Sequence, residues 1–234
     1  MVLLRSCIYF IWFALLTAVV VIALVPALLL PSSVMRLGAR LWCKGQVWGL
    51  RVIARQRVEI RGAIPSGARI VASKHMSMLD TLVLYLNVPN TTFVLKRELA
   101  YIPFYGWYAW KVGFIFIDRE GRASALRRLT ARAQMSIAQG HNLVIFPEGT
   151  RKKPGAVPDY KSGVAALYRQ LGVACVPVAL DSGRFWIGPM GFLKQPGTVV
   201  VEFLDEIGVG LDRKAFVHTL EQQIESATQD LLRT

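Results

Sequence analysis

The chain has 234 residues, of which 53% are hydrophobic, so it has the length of one globular domain but is more apolar than is usual for a wholly soluble protein. Its 28 Lys and Arg residues exceed the 15 acidic residues, and the net charge of +13 favours an anionic partner such as a phospholipid surface, a phosphorylated substrate or nucleic acid. The 3 cysteines are far apart, which excludes a disulfide framework and agrees with a reducing compartment.

The N-terminal region contains an uncharged apolar run over residues 7–30. Its 24 residues are enough to cross a hydrocarbon layer about 30 Å thick. A cleaved signal peptide is the alternative, but the run is longer than an ordinary signal core and residues 31–33 form a poor cleavage site, which favours a retained anchor. Pro26 could kink the segment or bend it into a re-entrant helix, and the sequence leaves both forms open.

A basic segment follows the apolar run, with 7 basic residues and 1 acid between Arg36 and Arg61. This position fits a membrane surface better than a nucleic-acid groove, because anionic headgroups attract such cations by roughly 1 kcal/mol each. The positive-inside rule then places the main domain in the cytoplasm. Residues 34–57 predict a basic amphipathic helix on the membrane, with a helix facing the protein core as the alternative.

From residue 57 onward, short apolar runs alternate with helical periodicity. This pattern predicts an α/β domain with a mixed central sheet of about 7 strands flanked by helices. We divide the chain into an N-terminal membrane anchor with its basic helix at 1–56 and a catalytic domain at 57–234. The predicted strands are 57–61, 68–73, 92–96, 113–117, 142–146, 174–179 and 198–203. The predicted helices are 78–87, 121–139, 160–170 and 212–233.

His75 lies between a predicted strand and a predicted helix, and Asp80 follows 5 residues later. The carboxyl edge of an α/β sheet is where ligands usually bind. With His75 in the loop and Asp80 in the first helical turn, the carboxylate can accept a hydrogen bond from one imidazole nitrogen and leave the other nitrogen free as a base. Taken by itself, this spacing is a weak signal, and either a chance pair or an Asp80 that only caps the helix is favoured.

Other residues that could carry chemistry have simpler interpretations. His141 and His218 lie in a turn and on an amphipathic helix, and we interpret both as structural or solvated. Ser77 has no G-x-S-x-G elbow around it, so a helix cap is favoured over a nucleophile. We predict no metal site, because His and Cys are few and scattered.

Cations follow three of the predicted strands. Lys96 ends the strand 92–96, Arg119 follows the strand 113–117, and Arg151 follows the strand 142–146 and its turn. One such cation would be an ordinary solvated strand end. Because three occur together with a His–Asp pair, we predict a phosphate site in which they converge.

Four motifs in this order resemble those of the glycerolipid acyltransferases, and most of all the bacterial 1-acyl-glycerol-3-phosphate acyltransferases. They are His75 with Asp80, Gly113 to Arg119, Phe146 to Arg151, and Val176 with Pro177. The resemblance covers roughly residues 57–205. The chain departs from the family pattern at Lys74, where many members have Asn, and at residues 78–79, where Trp is common.

The resemblance implies transfer of a fatty acyl group from acyl-CoA or acyl-ACP to the sn-2 hydroxyl of 1-acyl-glycerol-3-phosphate, which gives phosphatidic acid in phospholipid biosynthesis. No bound cofactor is expected. The expected partners are lysophosphatidic acid, the acyl thioester, the phospholipid bilayer and acyl carrier protein as a possible donor carrier, without nucleic acid. The expected location is the bacterial inner membrane, with the catalytic domain facing the cytoplasm.

The resemblance also implies roles for the motif residues. His75 acts as the base, Asp80 orients it, and the cations Lys96, Arg119 and Arg151 clamp the phosphate. Glu148, Gly149 and Thr150 belong to the motif that binds substrate or shapes its loop. Backbone N–H groups near Gly149 are our hypothesis for the oxyanion stabiliser.

Three alternatives remain open from the sequence. The acceptor can be another lysolipid, such as lyso-ornithine lipid or lysocardiolipin. The protein can be a non-catalytic membrane lipid-binding protein, or a thioesterase that releases free fatty acid. A further ambiguity concerns residues 101–110, whose 6 aromatic side chains form either a belt at the membrane interface or a plug in the core.

Overall fold

The computed structural model describes residues 1–118 and 122–233. A seven-stranded sheet crosses the molecule in the order β1-β9-β6-β2-β5-β3-β4. Its strands are β1 (Gln56–Arg61), β2 (Ile70–Ser73), β3 (Thr91–Lys96), β4 (Ile115–Ile117), β5 (Asn142–Ile145), β6 (Cys175–Leu180) and β9 (Gly197–Phe203). Neighbouring strands are parallel except β6 and β9, which run antiparallel. The short strands β7 (Trp186–Ile187) and β8 (Leu193–Lys194) form a separate ribbon.

Seven α-helices accompany the sheet in the described part of the chain. They are α1 (Val2–Ala23), α2 (Ser32–Val52), α3 (Met78–Asn87), α4 (Tyr105–Val112), α5 (Arg122–Ala138), α6 (Gly163–Leu171) and α7 (Arg213–Arg233). Short 3-10 turns occur at Pro26–Leu28, Arg97–Tyr101, Ser182–Arg184 and Pro189–Gly191.

Alternating side chains on the strands build a core on each face of the sheet. Val71 of β2 packs in the cluster that includes α2 and α3, while Ile70 and Ala72 pack with α6 and α7 on the opposite face. All four residues of β2 are buried, as expected for a central parallel strand covered on both faces. The arrangement is therefore three layers, with the carboxyl ends of β2, β5 and β6 at one edge.

The predicted fold class is confirmed. Each of the 7 predicted strands is present, with bounds that differ by at most 2 residues, and the predicted helices are present as α3, α5, α6 and α7. Helix α4 and the β7–β8 ribbon were not predicted. The division of the chain at residue 56 stays a prediction.

One N-terminal question left open by the sequence is answered, and one prediction needs correction. The apolar run 7–30 is interrupted near Pro26, because α1 ends at Ala23 and Pro26 begins a 3-10 turn. The helix predicted at 34–57 is wrong at its end, since α2 stops at Val52 and the next strand begins at Gln56. Arg55 between them has φ 56°, a left-handed conformation that cannot continue a right-handed helix.

Helix α1 is fastened to the rest of the molecule along its length. The backbone N–H of Lys194 in β8 donates to Ser6 Oγ at 2.9 Å, and Trp42 of α2 donates to Thr17 Oγ1 at 3.0 Å. Near the end of the helix, the hydroxyl of Tyr108 in α4 donates to the carbonyl of Val21 at 2.6 Å. The helix therefore lies against the domain instead of projecting away from it.

The outer side of α1 is apolar and exposed. In the part of the chain that the structure describes, α1 is the one helix long and apolar enough to cross a membrane. Its exposed large side chains are Leu3, Leu4, Ile8, Phe10, Ile11, Leu15, Val19 and Ile22. Exposed apolar surface of this extent in one stripe indicates contact with a membrane.

Glycines on α2 permit the close approach of α1. A Cβ added at Gly38 would lie 2.4 Å from Leu24 Cδ2, and one added at Gly49 would lie 2.4 Å from Trp12 Nε1. Trp12 is itself held, because its Nε1 donates to the carbonyl of Gly45 at 3.2 Å. Small residues on α2 therefore set the distance between the two helices.

We expect Gly49→Ala to destabilise the protein by about 1–3 kcal/mol, because the new methyl group displaces Trp12 from a packed position. The matched control is Gly163→Ala in α6, where an added Cβ meets nothing within 4 Å. That change should be neutral or stabilising by up to about 1 kcal/mol through helix propensity. Denaturation of both purified variants in one detergent measures the difference, and equal effects would contradict the packing described for α1 and α2.

Candidate active site

The loop between β2 and α3 brings His75 and Asp80 together. His75 Nδ1 lies 2.9 Å from Asp80 Oδ2. The spacing works because Ser77 caps α3. Its hydroxyl accepts from the N–H of Leu79, the helix begins at Met78, and Asp80 therefore falls in the first turn. The structure thus places the two predicted residues as a hydrogen-bonded dyad, and Ser77 is a cap as expected.

The carboxylate of Asp80 is buried and its hydrogen-bonding capacity is filled. Oδ2 also accepts from the backbone N–H groups of Met76 at 2.7 Å and Ser77 at 2.8 Å. Oδ1 is 3.0 Å from Ser77 Oγ and 2.5 Å from Ser182 Oγ. Burial acts to raise the pKa of Asp80, but the bond and charge of His75 and the hydroxyl and amide donors outweigh it and lower that pKa overall.

Ser182 could not be found from the sequence. It lies in the 3-10 turn after β6, is fully buried and contacts Asp80 from a segment 102 residues away. Because no local pattern marks a serine as the partner of a remote carboxylate, only the pairing of β6 beside β2 reveals it. This contact fixes the second oxygen of the Asp80 carboxylate.

The ring of His75 is fixed by neighbouring side chains but remains partly accessible to a bound molecule. It stacks on Phe146 with ring centroids 3.8 Å apart and an interplanar angle of 14°. Its side chain is 12% exposed, and Nε2 has no hydrogen bond within the described ranges. With Nδ1 committed to Asp80, Nε2 is the nitrogen that can accept a proton from a bound molecule.

The predicted motif 146–151 wraps against the dyad. The N–H of Lys152 donates to the carbonyl of His75 at 2.8 Å, and the N–H of Gly149 donates to Phe146 O at 2.9 Å with φ 67° at the glycine. The Gly149 N–H is therefore already bonded, and the hypothesis that backbone N–H groups near Gly149 stabilise an oxyanion stays a prediction. Thr150 at the next position is exposed.

Beside the dyad lies a buried ionic cluster around Lys74. Its Nζ donates to Glu148 Oε1 at 3.0 Å and to Glu225 Oε1 at 2.7 Å, and Lys74 is 2% exposed. The hydroxyl of Tyr160 donates to Glu225 Oε1 at 3.0 Å. The cluster joins the residue before His75, the motif loop and α7. The sequence marks Lys74 only as a departure from the family pattern, and it does not reveal the two carboxylate partners.

Glu148 is the most constrained member of this cluster. It is 1% exposed, and its Oε2 has no hydrogen-bond partner in the described part of the chain. Burial raises the pKa of Glu148, and the hydrogen bond and charge of Lys74 act against that rise. An unpaired buried oxygen is costly, which marks this position for a ligand or for loop architecture.

The predicted phosphate-binding cations are brought to one edge only in part. Lys96 ends β3 and lies 3.1 Å from Glu98, with half of its side chain exposed. Arg97 donates to Asp118 at 2.7 Å, which places the residue before Arg119 beside the end of β3. Arg119 itself lies outside the described residues. Neither Lys96 nor Arg97 is in contact with the dyad.

Arg151 is exposed and lies near α4. The charge of Arg151 acts to lower the pKa of Tyr105 at the start of α4, against a larger rise from burial and Cys43. In the described part of the chain Arg151 has no ion pair, which leaves its guanidinium available for an anion.

The aromatic segment that follows β3 faces outward. Trp107 is 55% exposed and Trp110 is 67% exposed, which is wrong for a core plug and agrees with an interfacial belt. An apolar cavity of about 460 Å³ lies between this helix and the turn after α1. Its lining residues are Leu28, Ala100, Gly106, Trp107, Trp110, Lys111 and Phe116.

The remaining candidates are structural. His141 lies 3.3 Å from Arg36 Nη1 and within 3.4 Å of Thr92 and Ser136, so it is a packing residue. His218 is exposed on α7. Among the described residues, no group of three or more His, Cys, Asp and Glu side chains could hold a metal ion.

Comparisons with known proteins agree with this geometry. Over 162 residues the chain is 36% identical to a protein named 1-acyl-sn-glycerol-3-phosphate acyltransferase from Pseudomonas aeruginosa, covering 68% of this chain and 63% of that relative. A protein of the same name from Haemophilus influenzae is 28% identical over 199 residues, 80% of each chain. This chain thus spans less than two thirds of the Pseudomonas relative.

A solved structure shares the fold. The crystal structure of the 1-acyl-sn-glycerophosphate (LPA) acyltransferase PlsC from Thermotoga maritima matches with a TM-score of 0.78 and 22% identity, covering 100% of this chain and 99% of that chain. The sequence profile of the family described as Acyltransferase matches residues 55–181, more than half of the chain. This region contains both the His75–Asp80 dyad and the Glu148 loop, and the chain belongs to the Acyltransferase family.

Proposed function

We propose that this protein transfers a fatty acyl group from acyl-CoA or acyl-ACP to the sn-2 hydroxyl of 1-acyl-glycerol-3-phosphate and so makes phosphatidic acid. The observation that carries the proposal is the His75–Asp80 dyad at 2.9 Å, with Nε2 of the histidine unbonded in the described residues. The names of the Pseudomonas and Haemophilus relatives support this acceptor. Another lysolipid acceptor is the second candidate, because the dyad recognises the hydroxyl and not the headgroup.

The proposed reaction is a direct transfer. His75 Nε2 takes the proton of the acceptor hydroxyl while that oxygen attacks the thioester carbonyl. Asp80 keeps Nδ1 protonated and balances the imidazolium charge. When the tetrahedral intermediate collapses, the carbon–sulfur bond breaks, and the imidazolium returns its proton to the departing thiolate. No acyl-enzyme is formed.

An oxyanion stabiliser is needed for the intermediate. Since Gly149 N–H already bonds Phe146, the N–H of Thr150 is the nearest candidate, and it has no backbone partner in the described chain. The phosphate of the acceptor is proposed to bind Lys96, Arg119 and Arg151, which holds its hydroxyl against His75. Glu148 supports the loop that carries Arg151.

The proposed location is the bacterial inner membrane, with the part of the chain from residue 57 facing the cytoplasm. Support comes from the apolar exposed side of α1 and from the exposed tryptophans of α4. Because α1 is bonded to β8, α2 and α4, full crossing would carry polar parts of the domain into the bilayer. These contacts favour insertion of the α1–α2 pair into one leaflet.

His75→Ala should lower transfer to lysophosphatidic acid by about 10²–10⁴-fold, because the base is removed. Sedimentation with vesicles should be unchanged, since the anchor is intact. The assay uses labelled acyl-CoA with and without lysophosphatidic acid. Release of free fatty acid in the absence of lysophosphatidic acid would indicate a thioesterase. If the wild type transfers no acyl group and both proteins bind vesicles equally, the protein is a lipid-binding protein instead.

Arg151→Gln should raise the KM for the lysolipid about tenfold and change the KM for the donor little, because one charge-assisted contact to the phosphate is lost. Arg119→Ala is expected to act in the same direction. Initial rates at varied acceptor and fixed donor, and the reverse, separate the two constants. Equal rises in both would contradict the assignment of these arginines to the acceptor phosphate.

Lys74→Met should destabilise the protein by about 3–5 kcal/mol near neutral pH, because it leaves Glu148 and Glu225 without their buried cation. The pKa of Glu148, already raised by burial, then rises further. The folded state therefore binds a proton more tightly than the unfolded state, and the loss should shrink as pH falls. Denaturation between about pH 5 and 8 tests this.

The matched control for that measurement is Lys74→Met combined with Glu148→Gln. Removing the ionisable group should restore part of the stability and flatten most of the added pH dependence. A single Lys74→Met variant whose deficit is the same at every pH would show that Glu148 does not carry the uncompensated charge.

A further inference from the structure

A second concentration of positive charge lies away from the residues already discussed. A cavity of about 580 Å³ opens between the end of α2 and the beginnings of β1 and β9. It is lined by Arg51, Val52, Arg55, Arg57, Gly197 and Thr198, and all three arginines are exposed. None of these six residues is acidic, so three arginines share one opening without a carboxylate on its lining.

These arginines are not engaged elsewhere. In the described part of the chain no ion pair involves any of the three. Glu59 shares the exposed face of β1 with Arg57, but it is bound to Arg61 at 2.7 Å. The cavity therefore offers donors for an anion without a competing carboxylate on its lining.

The backbone under this cavity is constrained. Arg55 has φ 56°, a conformation that side chains other than glycine and asparagine rarely adopt. The N–H of Gly197 donates to its carbonyl at 3.1 Å, and the buried side chain of Gln56 donates to the carbonyls of Phe185 and Gln195 at 3.2 and 2.7 Å. A residue other than glycine in a left-handed conformation is a backbone outlier of the kind that occurs at functional sites.

The cavity lies at the same edge of the sheet as His75. Strand β9 runs antiparallel to β6, and β1 runs parallel to β9. Strands β1 and β9 therefore begin at the edge of the sheet where β6 and its parallel neighbour β2 end. In the strand order, β1 is separated from β2 by β9 and β6. At about 4.8 Å per strand, the lateral separation is about 14 Å. Ser73 pairs with Val178 and Leu180 pairs with Val201, so Thr198 and Gly197 also lie about 10–13 Å beyond the level of His75 along the strand direction. The direct distance is therefore about 17–19 Å.

We propose that Arg51, Arg55 and Arg57 bind the phosphate at the end of the phosphopantetheine arm of the acyl donor. This inference rests on the proposed acyl transfer. Acyl-CoA and acyl carrier protein both hold the thioester on this arm. Its 13 bonds between sulfur and phosphorus extend over about 16 Å, and the long arginine side chains cover the remaining few ångströms. A thioester at His75 can thus place its phosphate in the cavity. The acceptor phosphate binds on the other side of His75, toward β3 and β5.

The first test is a pair of triple variants with equal loss of charge. Arg51→Gln, Arg55→Gln and Arg57→Gln together remove the site. Arg127→Gln, Arg128→Gln and Arg132→Gln on α5 are the control, because these arginines are exposed on a helix that packs against β4 and β5, toward the opposite end of the sheet from β1. With full-length protein in detergent, the KM for acyl-CoA and for acyl-ACP should rise about tenfold in the first triple only.

The KM for the lysolipid should stay within about twofold in both triples, since the acceptor cations are intact. A donor KM that is unchanged in the first triple, or raised equally in the control, would overturn the proposal while leaving the transferase reaction standing.

A binding measurement separates the site from the reaction. Calorimetry with free coenzyme A, 4′-phosphopantetheine and pantetheine needs no turnover. We expect coenzyme A and 4′-phosphopantetheine to bind the wild type, with an affinity that falls about tenfold in the arginine triple. Pantetheine, which lacks the phosphate, should bind all the proteins with the same affinity. If this phosphate-dependent binding is found but the protein has no transferase activity, the site is supported and the proposed function is rejected. No dependence on the phosphate would reject the site.

One more variant and a vesicle assay separate donor binding from backbone strain and from headgroup binding. Arg55→Gly relieves the left-handed strain, so it should melt no lower than the wild type and still raise the donor KM. Vesicles of phosphatidylglycerol and of phosphatidylcholine test a lipid headgroup as the occupant. Loss of phosphatidylglycerol binding in the arginine triple, with donor and acceptor KM changed equally, would assign the cavity to the bilayer and overturn the donor site.

Discussion

The buried carboxylate of Asp80 is the constraint on which the site depends. An ionised group without water is costly unless its oxygens are filled, and here both are, by His75, two backbone N–H groups and the hydroxyls of Ser77 and Ser182. These donors come from the loop after β2, the first turn of α3 and the turn after β6. The same contacts that stabilise the charge therefore lock the imidazole, because Nδ1 has no other acceptor in the described chain.

The second buried charge, Lys74, couples the dyad to more distant parts. It is adjacent to His75 in sequence, yet its partners Glu148 and Glu225 come from the motif loop and from α7. The stacking of His75 on Phe146 adds an apolar contact between the same two loops. A cluster with two carboxylates and one ammonium has a surplus of negative charge, which agrees with the raised pKa of Glu148. A displacement of α7 would therefore be transmitted through the ion pairs of Lys74 to the loop that carries Arg151.

The sheet and the dyad could be predicted because their signals are local. Apolar runs bounded by Gly and Pro located all seven strands, and the position of His75 before a capped helix located its partner. Contacts between remote segments could not be predicted in this way. Ser182 and Glu225 have ordinary sequence surroundings, and only the strand order brings them to the site. Helix α4 was missed because its buried face consists of Gly106, Ala109 and Val112, which are small or only moderately large, while its two tryptophans are exposed.

A direct transfer has to hold two anionic substrates at once, and their phosphates repel each other. Screening reduces this repulsion strongly beyond about 8–10 Å at ordinary ionic strength, so the two phosphates are best bound on opposite sides of the reacting atoms. The proposed arrangement does this, with one set of cations beyond β5 and β3 and the other at the start of β1. A body with 28 basic and 15 acidic residues can supply both sets. The central position of β2 in the strand order then places His75 between them, where the hydroxyl and the thioester must meet.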